Sequence, residues 1–198
     1  MIFKYNYHFN ISKIQRLVNS KKLKILDFGC GLGNWNKKII YSKLINKIIL
    51  YDKNKNLINI LKKKYPSQKI EINFNLKKII KIKDYNTIIF SSVIQYISQD
   101  KLKKIIKKLT KGKKNITIIF IDVPYLPRII EFFLLPFFSF KRFLFTLKLL
   151  SSNNYNKINY FLYNKEKFKP FNKKFDLKFL CNLHDLKFLR YTLVMKLK

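Results

Sequence analysis

The sequence predicts a doubly wound α/β fold, in which a mostly parallel sheet has helices on both faces and a late antiparallel strand. Short apolar runs alternate with amphipathic, lysine-rich segments through residues 20–123. Three of the four glycines lie within five positions, directly after an apolar run that ends at Phe28. A glycine cluster between a strand and a helix is typical of a ligand-binding turn at the carboxyl edge of a parallel sheet.

The apolar runs account for the predicted strands in order. Five of them fall in the first part of the chain, at 22–28, 47–51, 69–74, 87–92 and 115–121. The amphipathic segments 34–45, 56–65 and 102–109 predict helices, because their apolar residues recur on one side at helical spacing. Two later runs, 176–182 and 189–197, predict the closing strands. Strands that alternate with helices indicate βαβ units with right-handed crossovers.

We expect one domain over residues 1–198, because no linker long enough to divide the chain is visible. Its core covers about 20–123, an aromatic-rich insert about 124–160, and the closing strands about 174–198. The hydrophobic content of 48% is sufficient for a packed core.

The net charge of +33 raises the question of a nucleic-acid partner. Only four of the 43 basic residues are arginine, alanine is absent, and Lys, Ile and Asn dominate, as an AT-rich genome would produce. Nucleic-acid sites favour arginine, because its guanidinium makes paired hydrogen bonds. We therefore place most lysines on solvated helix faces and do not favour nucleic acid as the partner.

The two cysteines, Cys30 and Cys181, have no partner at metal-ligand spacing, so we predict no metal site. The first ten residues lack the apolar core of a signal peptide. No stretch of about 18 apolar residues predicts a membrane span. We expect a cytoplasmic protein.

The glycine cluster has the pattern D-x-G-x-G-x-G over Asp27–Gly33. It differs from the dinucleotide pattern G-x-G-x-x-G, because Asn34 stands at the last glycine position. The pattern resembles motif I of class I S-adenosylmethionine-dependent methyltransferases. The resemblance continues at Asp52, which ends the second strand, and in SSVIQYI at 91–97. NAD remains the alternative ligand for a fold of this type.

The resemblance implies S-adenosylmethionine as the cofactor. In such a site Asp27 receives the ammonium of the amino-acid tail and Asp52 accepts the ribose hydroxyls. The family often has an acid after the third strand for the adenine amino group, and this chain has Asn75 there. The implied cofactor-binding residues are Asp27, Gly29, Cys30, Gly31, Gly33, Asp52, Lys53, Asn75, Leu76 and Ser91.

The implied activity is methyl transfer to an oxygen of a small molecule or saccharide precursor. The segments 122–124 and 190–196 resemble small methyltransferases that modify sugars, and an Asn/Asp-Pro-Pro-Tyr/Phe motif for nitrogen acceptors is absent. The alternatives are an RNA methyltransferase, a membrane-associated lipid or quinone methyltransferase, and a cofactor-binding protein without turnover.

The general base that a hydroxyl acceptor needs is not identified by the sequence. The candidates are His8, Asp122 and Tyr125, with His184 as a further histidine. The Phe- and Leu-rich stretch 126–150 could cover the acceptor, contact a membrane peripherally or form a dimer interface. The oligomeric state stays open.

Overall fold

The computed structural model describes residues 11–33, 42–65, 69–124, 161–181 and 190–198. Within them the strands are β1 Leu23–Phe28, β2 Ile45–Tyr51, β3 Ile70–Asn73, β4 Thr87–Ser91, β5 Thr117–Pro124, β6 Phe175–Cys181 and β7 Arg190–Leu197. The α-helices of the same residues are α1 Ile11–Val18, α2 Lys55–Lys64, α3 Leu76–Lys81 and α4 Gln99–Thr110. Two 3₁₀ helices cover Ile94–Tyr96 and Lys165–Phe171.

The described strands form one sheet in the order β3-β2-β1-β4-β5-β7-β6. The first five strands pair in parallel, and β7 lies antiparallel between β5 and β6. The chain passes from β1 outward to β3 and then returns to place β4 on the other side of β1. The carboxyl end of β1 is therefore the switch point where such sheets bind ligands. This confirms the predicted fold class.

The sheet buries apolar side chains on both faces, which explains why its strands are continuous apolar runs. On one face α3 and α4 cover a core in which the rings of Phe90 and Phe120 stack 4.8 Å apart. On the other face α1 and α2 cover a second core through Ile14, Ile58 and Leu61. The helix α4 buries the side that the amphipathic pattern predicts. In α2 the pattern predicts Leu57, Ile58, Ile60 and Leu61 inward, and this was wrong for Ile60, which is 49% exposed. The lysines of both helices lie mostly outward.

Several elements differ from the sequence predictions. The helices α1 and α3 were not predicted. Most of the predicted helix 34–45 falls on residues 34–41, outside the described residues, and β2 begins at Ile45 rather than at residue 47. Strand β5 was predicted to end before Asp122, and this was wrong, because the strand continues through an irregularity to Pro124.

The insert predicted at 124–160 falls almost entirely on residues 125–160, outside the described residues. The residues before and after this insert are hydrogen-bonded to each other, since the Tyr163 amide donates to the Pro124 carbonyl over 3.0 Å. Tyr163 is buried, and its hydroxyl donates to the Ile97 carbonyl over 2.6 Å. The Phe161 amide donates to the Gln95 carbonyl over 2.7 Å. The chain therefore leaves and rejoins the sheet at the carboxyl edge of β4 and β5.

Among the residues described, none of the helices has the length and apolar character needed to cross a membrane. The division into core, insert and closing strands stays a prediction.

Lys113, in the turn after α4, is the described lysine with the most perturbed environment. Its Nζ lies 3.3 Å from the ring centroid of Tyr85 and donates to the Lys83 carbonyl over 2.6 Å. The pKa of Lys113 is lowered to about 8, because burial and the nearby Lys83 ammonium disfavour its charge more than Asp84 favours it.

This lowered pKa predicts a pH dependence of stability. Between pH 8 and the ordinary lysine pKa of 10.5, the unfolded chain holds a proton on Lys113 that the folded protein has released. The free energy of unfolding should therefore rise across this interval. Urea denaturation at pH 7.5 and 10 should show a smaller rise in Lys113→Gln than in the wild type. Lys114→Gln removes the same charge from an exposed neighbour and should keep the wild-type rise; equal rises in all three proteins would contradict the assignment.

Candidate functional site

The glycine loop Gly29–Gly33 begins where β1 ends, beside the end of β2. The amides of Gly29 and Cys30 donate to the Tyr51 carbonyl over 2.7 and 3.0 Å. The Gly33 amide donates back to the Cys30 carbonyl over 2.9 Å. These hydrogen bonds fix a tight turn at the switch point of the sheet.

Gly29 and Gly31 explain why a chain so poor in glycine has it here. Gly29 has a φ of +79°, and a Cβ on it would lie 2.5 Å from Cγ2 of Val93. Gly31 has a φ of +55°, and a Cβ on it would meet nothing within 4 Å. Both conformations are costly for other residues. Glycine is therefore required at position 29 because a side chain would clash with Val93. At position 31 it is required only because of the backbone conformation, and the space beside it is open.

The Asp52 carboxylate joins the loop to the start of α2. Its Oδ2 accepts from the Gly31 amide over 3.0 Å, and its Oδ1 accepts from the Asn54 amide over 2.9 Å. An ionised carboxylate can accept about four hydrogen bonds. Asp52 is half-buried, so it keeps acceptor capacity for a ligand above the loop.

Asp27 and Cys30 form the buried base of the site. Asp27 is fully buried next to the end of β1, between Leu50 of β2 and Ile89 of β4. Burial raises the pKa of the Cys30 thiol, and the nearby charges of Asp27 and Asp52 raise it further. Cys30 therefore stays a neutral thiol in an environment that favours positive charge.

The end of α2 supports the loop from outside. Lys64 Nζ donates to the Leu32 carbonyl over 3.0 Å, and the buried Tyr65 hydroxyl donates to the Gly33 carbonyl over 3.0 Å. Sequence reasoning missed both residues. An aromatic residue before the Pro66 that closes the predicted helix is a weak signal, because such residues usually serve the core.

The other predicted cofactor contacts lie on the same edge. Asn75 caps α3, and its Oδ1 accepts from the Lys77 amide over 2.9 Å. Leu76 is half-buried against the core, and Lys53 is exposed. Ser91 ends β4 opposite Ile121 of β5. Their contacts with a cofactor stay predictions.

A second polar cluster lies where β4 and β5 end. Ser92 Oγ donates to Oδ2 of Asp122 over 2.7 Å, and Gln95 Nε2 donates to the Ser92 carbonyl over 2.6 Å. Of this cluster, sequence reasoning proposed Asp122 and missed Ser92 and Gln95. The 30 residues between Ser92 and Asp122 leave no local signal of their contact. The other base candidates, His8, Tyr125 and His184, fall outside the described residues.

Acidic residues are concentrated at this edge, although the chain as a whole is basic. Asp27, Asp52 and Asp122 all lie at the carboxyl ends of parallel strands, in a chain of net charge +33 that has ten acidic residues. In the part of the chain that the structure describes, no group of three or more His, Cys, Asp or Glu is placed to hold a metal ion. The carboxylates at this edge can attract positively charged groups of a ligand.

The contact between Gly29 and Val93 predicts a packing defect in Gly29→Ala. The new methyl group would clash with Val93 and hold a left-handed backbone, so the free energy of unfolding should fall by about 2–4 kcal/mol. Urea denaturation measures this loss. Adding Val93→Ala removes the clash and should leave Gly29→Ala with a smaller effect than it has alone. Strictly additive losses would show that the two residues are not in contact.

The raised pKa of Cys30 predicts a slow thiol. In the folded protein at pH 8, iodoacetamide should alkylate Cys30 at least about tenfold more slowly than in urea, because the thiolate is the reactive form. Mass spectrometry of the peptide that contains Cys30 measures the rate. Equal rates in folded and unfolded protein would show that Cys30 is exposed and ionised.

Comparison with solved structures supports this fold. The methyltransferase domain of the bacterial protein CtHen1 is 17% identical, with a TM-score of 0.60 over 95% of each chain. A methyltransferase from Anabaena variabilis, described as S-adenosylmethionine-dependent, is 17% identical, with a TM-score of 0.63 over 95% of this chain and 83% of that one. TehB from Haemophilus influenzae is 16% identical, with a TM-score of 0.57 over 98% of this chain and 65% of that one.

The sequence itself was compared with curated proteins and with family models. No curated protein matches it significantly. The model of the family described as "Tellurite resistance protein TehB" matches residues 2–167, which is most of the chain. The match covers the glycine loop, Asp52 and the cluster at Asp122. The chain therefore belongs to the TehB family, among the class I S-adenosylmethionine-dependent methyltransferases.

Proposed function

We propose that S-adenosylmethionine binds over the glycine loop and that its methyl group is transferred to an acceptor at the ends of β4 and β5. The observation that carries this proposal is Gly31. Its amide is held by Asp52, its φ is +55°, and the space where a side chain would stand is open. Because no side chain covers the backbone here, a ligand can approach the peptide group directly.

The charge of the site supports this cofactor over NAD. S-adenosylmethionine has a sulfonium and an ammonium, whereas NAD has an anionic pyrophosphate. Asp27 is buried and Asp52 half-buried under the loop, so the local field attracts cations. A pyrophosphate on the loop would approach the Asp27 carboxylate, whereas an acid at the position of Asp52 can bind the ribose of either cofactor.

The residues fit the parts of the cofactor as follows. Asp27 receives the ammonium of the amino-acid tail, Asp52 accepts from the ribose hydroxyls, and the loop lies against both. Asn75 and Leu76 follow the end of β3, and Ser91 ends β4, where the adenine would lie. The bound cofactor supplies a methyl group on a sulfonium, and the protein orients it towards the acceptor.

For the acceptor we infer an oxygen of a small molecule, with a saccharide precursor as the leading class. Support comes from Asp122, a carboxylate at the acceptor edge that could take a hydroxyl proton. The family description refers to tellurite resistance, so tellurite is the second candidate acceptor. A methyl-transfer assay should include sugars, tellurite and RNA, with formation of S-adenosylhomocysteine as the signal.

Gly31→Ala and Gly112→Ala form a matched pair that tests the cofactor site. Both glycines have a left-handed backbone, with φ of +55° and +70°, and at both a Cβ would meet nothing within 4 Å. Each substitution should lower the free energy of unfolding by a similar amount, about 1 kcal/mol. Only Gly31→Ala should lower the affinity for S-adenosylmethionine and S-adenosylhomocysteine, by at least about tenfold, because its methyl group enters the proposed ligand space.

Calorimetric titration measures both affinities, with NAD as the negative control. Binding of NAD in place of S-adenosylmethionine would reject the cofactor assignment. Equal affinities in the two glycine variants would place the cofactor elsewhere. Asp52→Asn keeps the shape of the side chain but leaves one acceptor oxygen for the Gly31 and Asn54 amides. It should therefore weaken the binding of both ligands, through the loop as well as through the ribose contact.

A further inference from the structure

The amino ends of the parallel strands meet at the edge of the sheet that lies opposite the glycine loop. Strand β6 also begins at this edge, and the antiparallel β7 ends there. Each strand of the described sheet has an exposed lysine within four residues of that end. We call this set the lysine edge, and it consists of Lys22, Lys43, Lys69, Lys83, Lys114, Lys174 and Lys198.

Hydrogen bonds show that the strand ends of the lysine edge are neighbours. Asn86 Nδ2, just before β4, donates to the Lys22 carbonyl over 3.2 Å, and the Asn86 carbonyl accepts from the Thr117 amide over 3.0 Å. The Lys198 amide donates to the Lys174 carbonyl over 3.1 Å. Neighbouring strands are about 5 Å apart, which is less than the screening length of about 8 Å in physiological salt. The lysines of adjacent strands therefore act on a partner together.

The acidic residues at this end of the sheet do not neutralise it. Among the described residues they are Glu71, Asp84 and Asp176, and each forms an ion pair with a lysine. Two of the lysines in these pairs, Lys24 and Lys47, come in addition to the lysine edge. Lysines therefore outnumber acids here by a wide margin, and this end of the sheet keeps a large positive charge.

The composition of the lysine edge indicates the class of partner. Every basic residue that flanks a strand here is lysine, whereas nucleic-acid sites favour arginine and aromatic rings on which bases stack. The exposed aromatic residues among those described, Phe74 and Tyr96, follow β3 and β4 at the carboxyl edge. A bilayer with anionic headgroups needs neither feature, because it attracts clusters of lysine through charge alone.

We propose that the lysine edge is an interaction surface that docks the protein on the anionic headgroups of a lipid bilayer. The attraction is electrostatic, so it is reversible and is screened by salt. The inference concerns the end of the sheet opposite the cofactor site and does not rest on the proposed function.

Docking in this orientation determines which way the glycine loop faces. Strand β1 has six residues, so its two ends are about 20 Å apart. The carboxyl edge, with Asp27, Asp52 and Asp122, then faces the water while the lysine edge lies on the headgroups. A ligand would reach the site from solution rather than from the bilayer.

The edge variant removes charge from four neighbouring strands. It combines substitutions before β1, β2, β4 and β5, which are Lys22→Gln, Lys43→Gln, Lys83→Gln and Lys114→Gln. These side chains are exposed, so the fold should be kept, and thermal unfolding checks this.

The face variant is the matched control. It removes the same charge from exposed lysines in the first halves of α3 and α4, which lie towards the carboxyl edge. Glutamine suits a helix about as well as lysine does. The substitutions are Lys77→Gln, Lys78→Gln, Lys101→Gln and Lys104→Gln.

Co-sedimentation with lipid vesicles measures the docking. The wild type should bind vesicles of phosphatidylcholine that contain about one third phosphatidylglycerol, in about 0.1 M salt, and should not bind pure phosphatidylcholine. The edge variant should bind the anionic vesicles at least about tenfold more weakly, because each lysine close to the headgroups contributes about fivefold. The face variant should lose less than about threefold, because its lysines lie further from the headgroups.

Three outcomes would overturn the proposal. Equal losses in the two variants would show that total charge, and not the lysine edge, drives binding. A folded wild type that does not bind the anionic vesicles would remove the docking itself. Binding of single-stranded RNA in place of these vesicles, lost in the edge variant alone, would assign the lysine edge to nucleic acid.

Discussion

The Asp52 carboxylate makes the contact on which the rest of the site depends. One oxygen holds the Gly31 amide and the other holds the Asn54 amide at the start of α2. The far end of α2 then returns to the same loop through Lys64 and Tyr65. The loop is thus fixed to a single helix from both of that helix's ends. A carboxylate in this position organises the ligand site before any ligand arrives, which lowers the ordering cost of binding.

Four described residues other than glycine have a positive φ, and their residue types are informative. Two of the four described residues other than glycine with positive φ are Asn19 and Asn115, in surface turns where asparagine tolerates this conformation. The other two, Ser92 and Asp122, face each other at the acceptor edge. Asparagine is abundant in this chain and would tolerate the same backbone conformation at these positions. That a serine and an aspartate stand at these positions points to their side-chain chemistry.

The sheet and the glycine loop could be predicted from the sequence, because both have local sequence signals. A strand buried on both faces is a continuous apolar run, and three glycines in an otherwise glycine-poor chain mark a tight turn. The irregularity in β5 could not be predicted from the sequence. An apolar run such as TIIFI has no alternation of polar and apolar residues, so a shift in which face each residue occupies leaves no signal. Sequence reasoning missed α3, a short lysine-rich helix whose start at Asn75 was interpreted only as a ligand contact. The Ser92–Asp122 pair depends on strand pairing across 30 residues, which no local pattern shows.

The hydrogen bond between Tyr163 and Pro124 bears on how proteins of this family could diversify. It joins the two chain ends of the segment 125–160 at the sheet. The entropy of closing a loop grows only with the logarithm of its length. A change in the length of this segment should therefore cost little loop-closure entropy. Evolution, or an engineer, could change the length of this segment while keeping the hydrogen bond that joins its two ends.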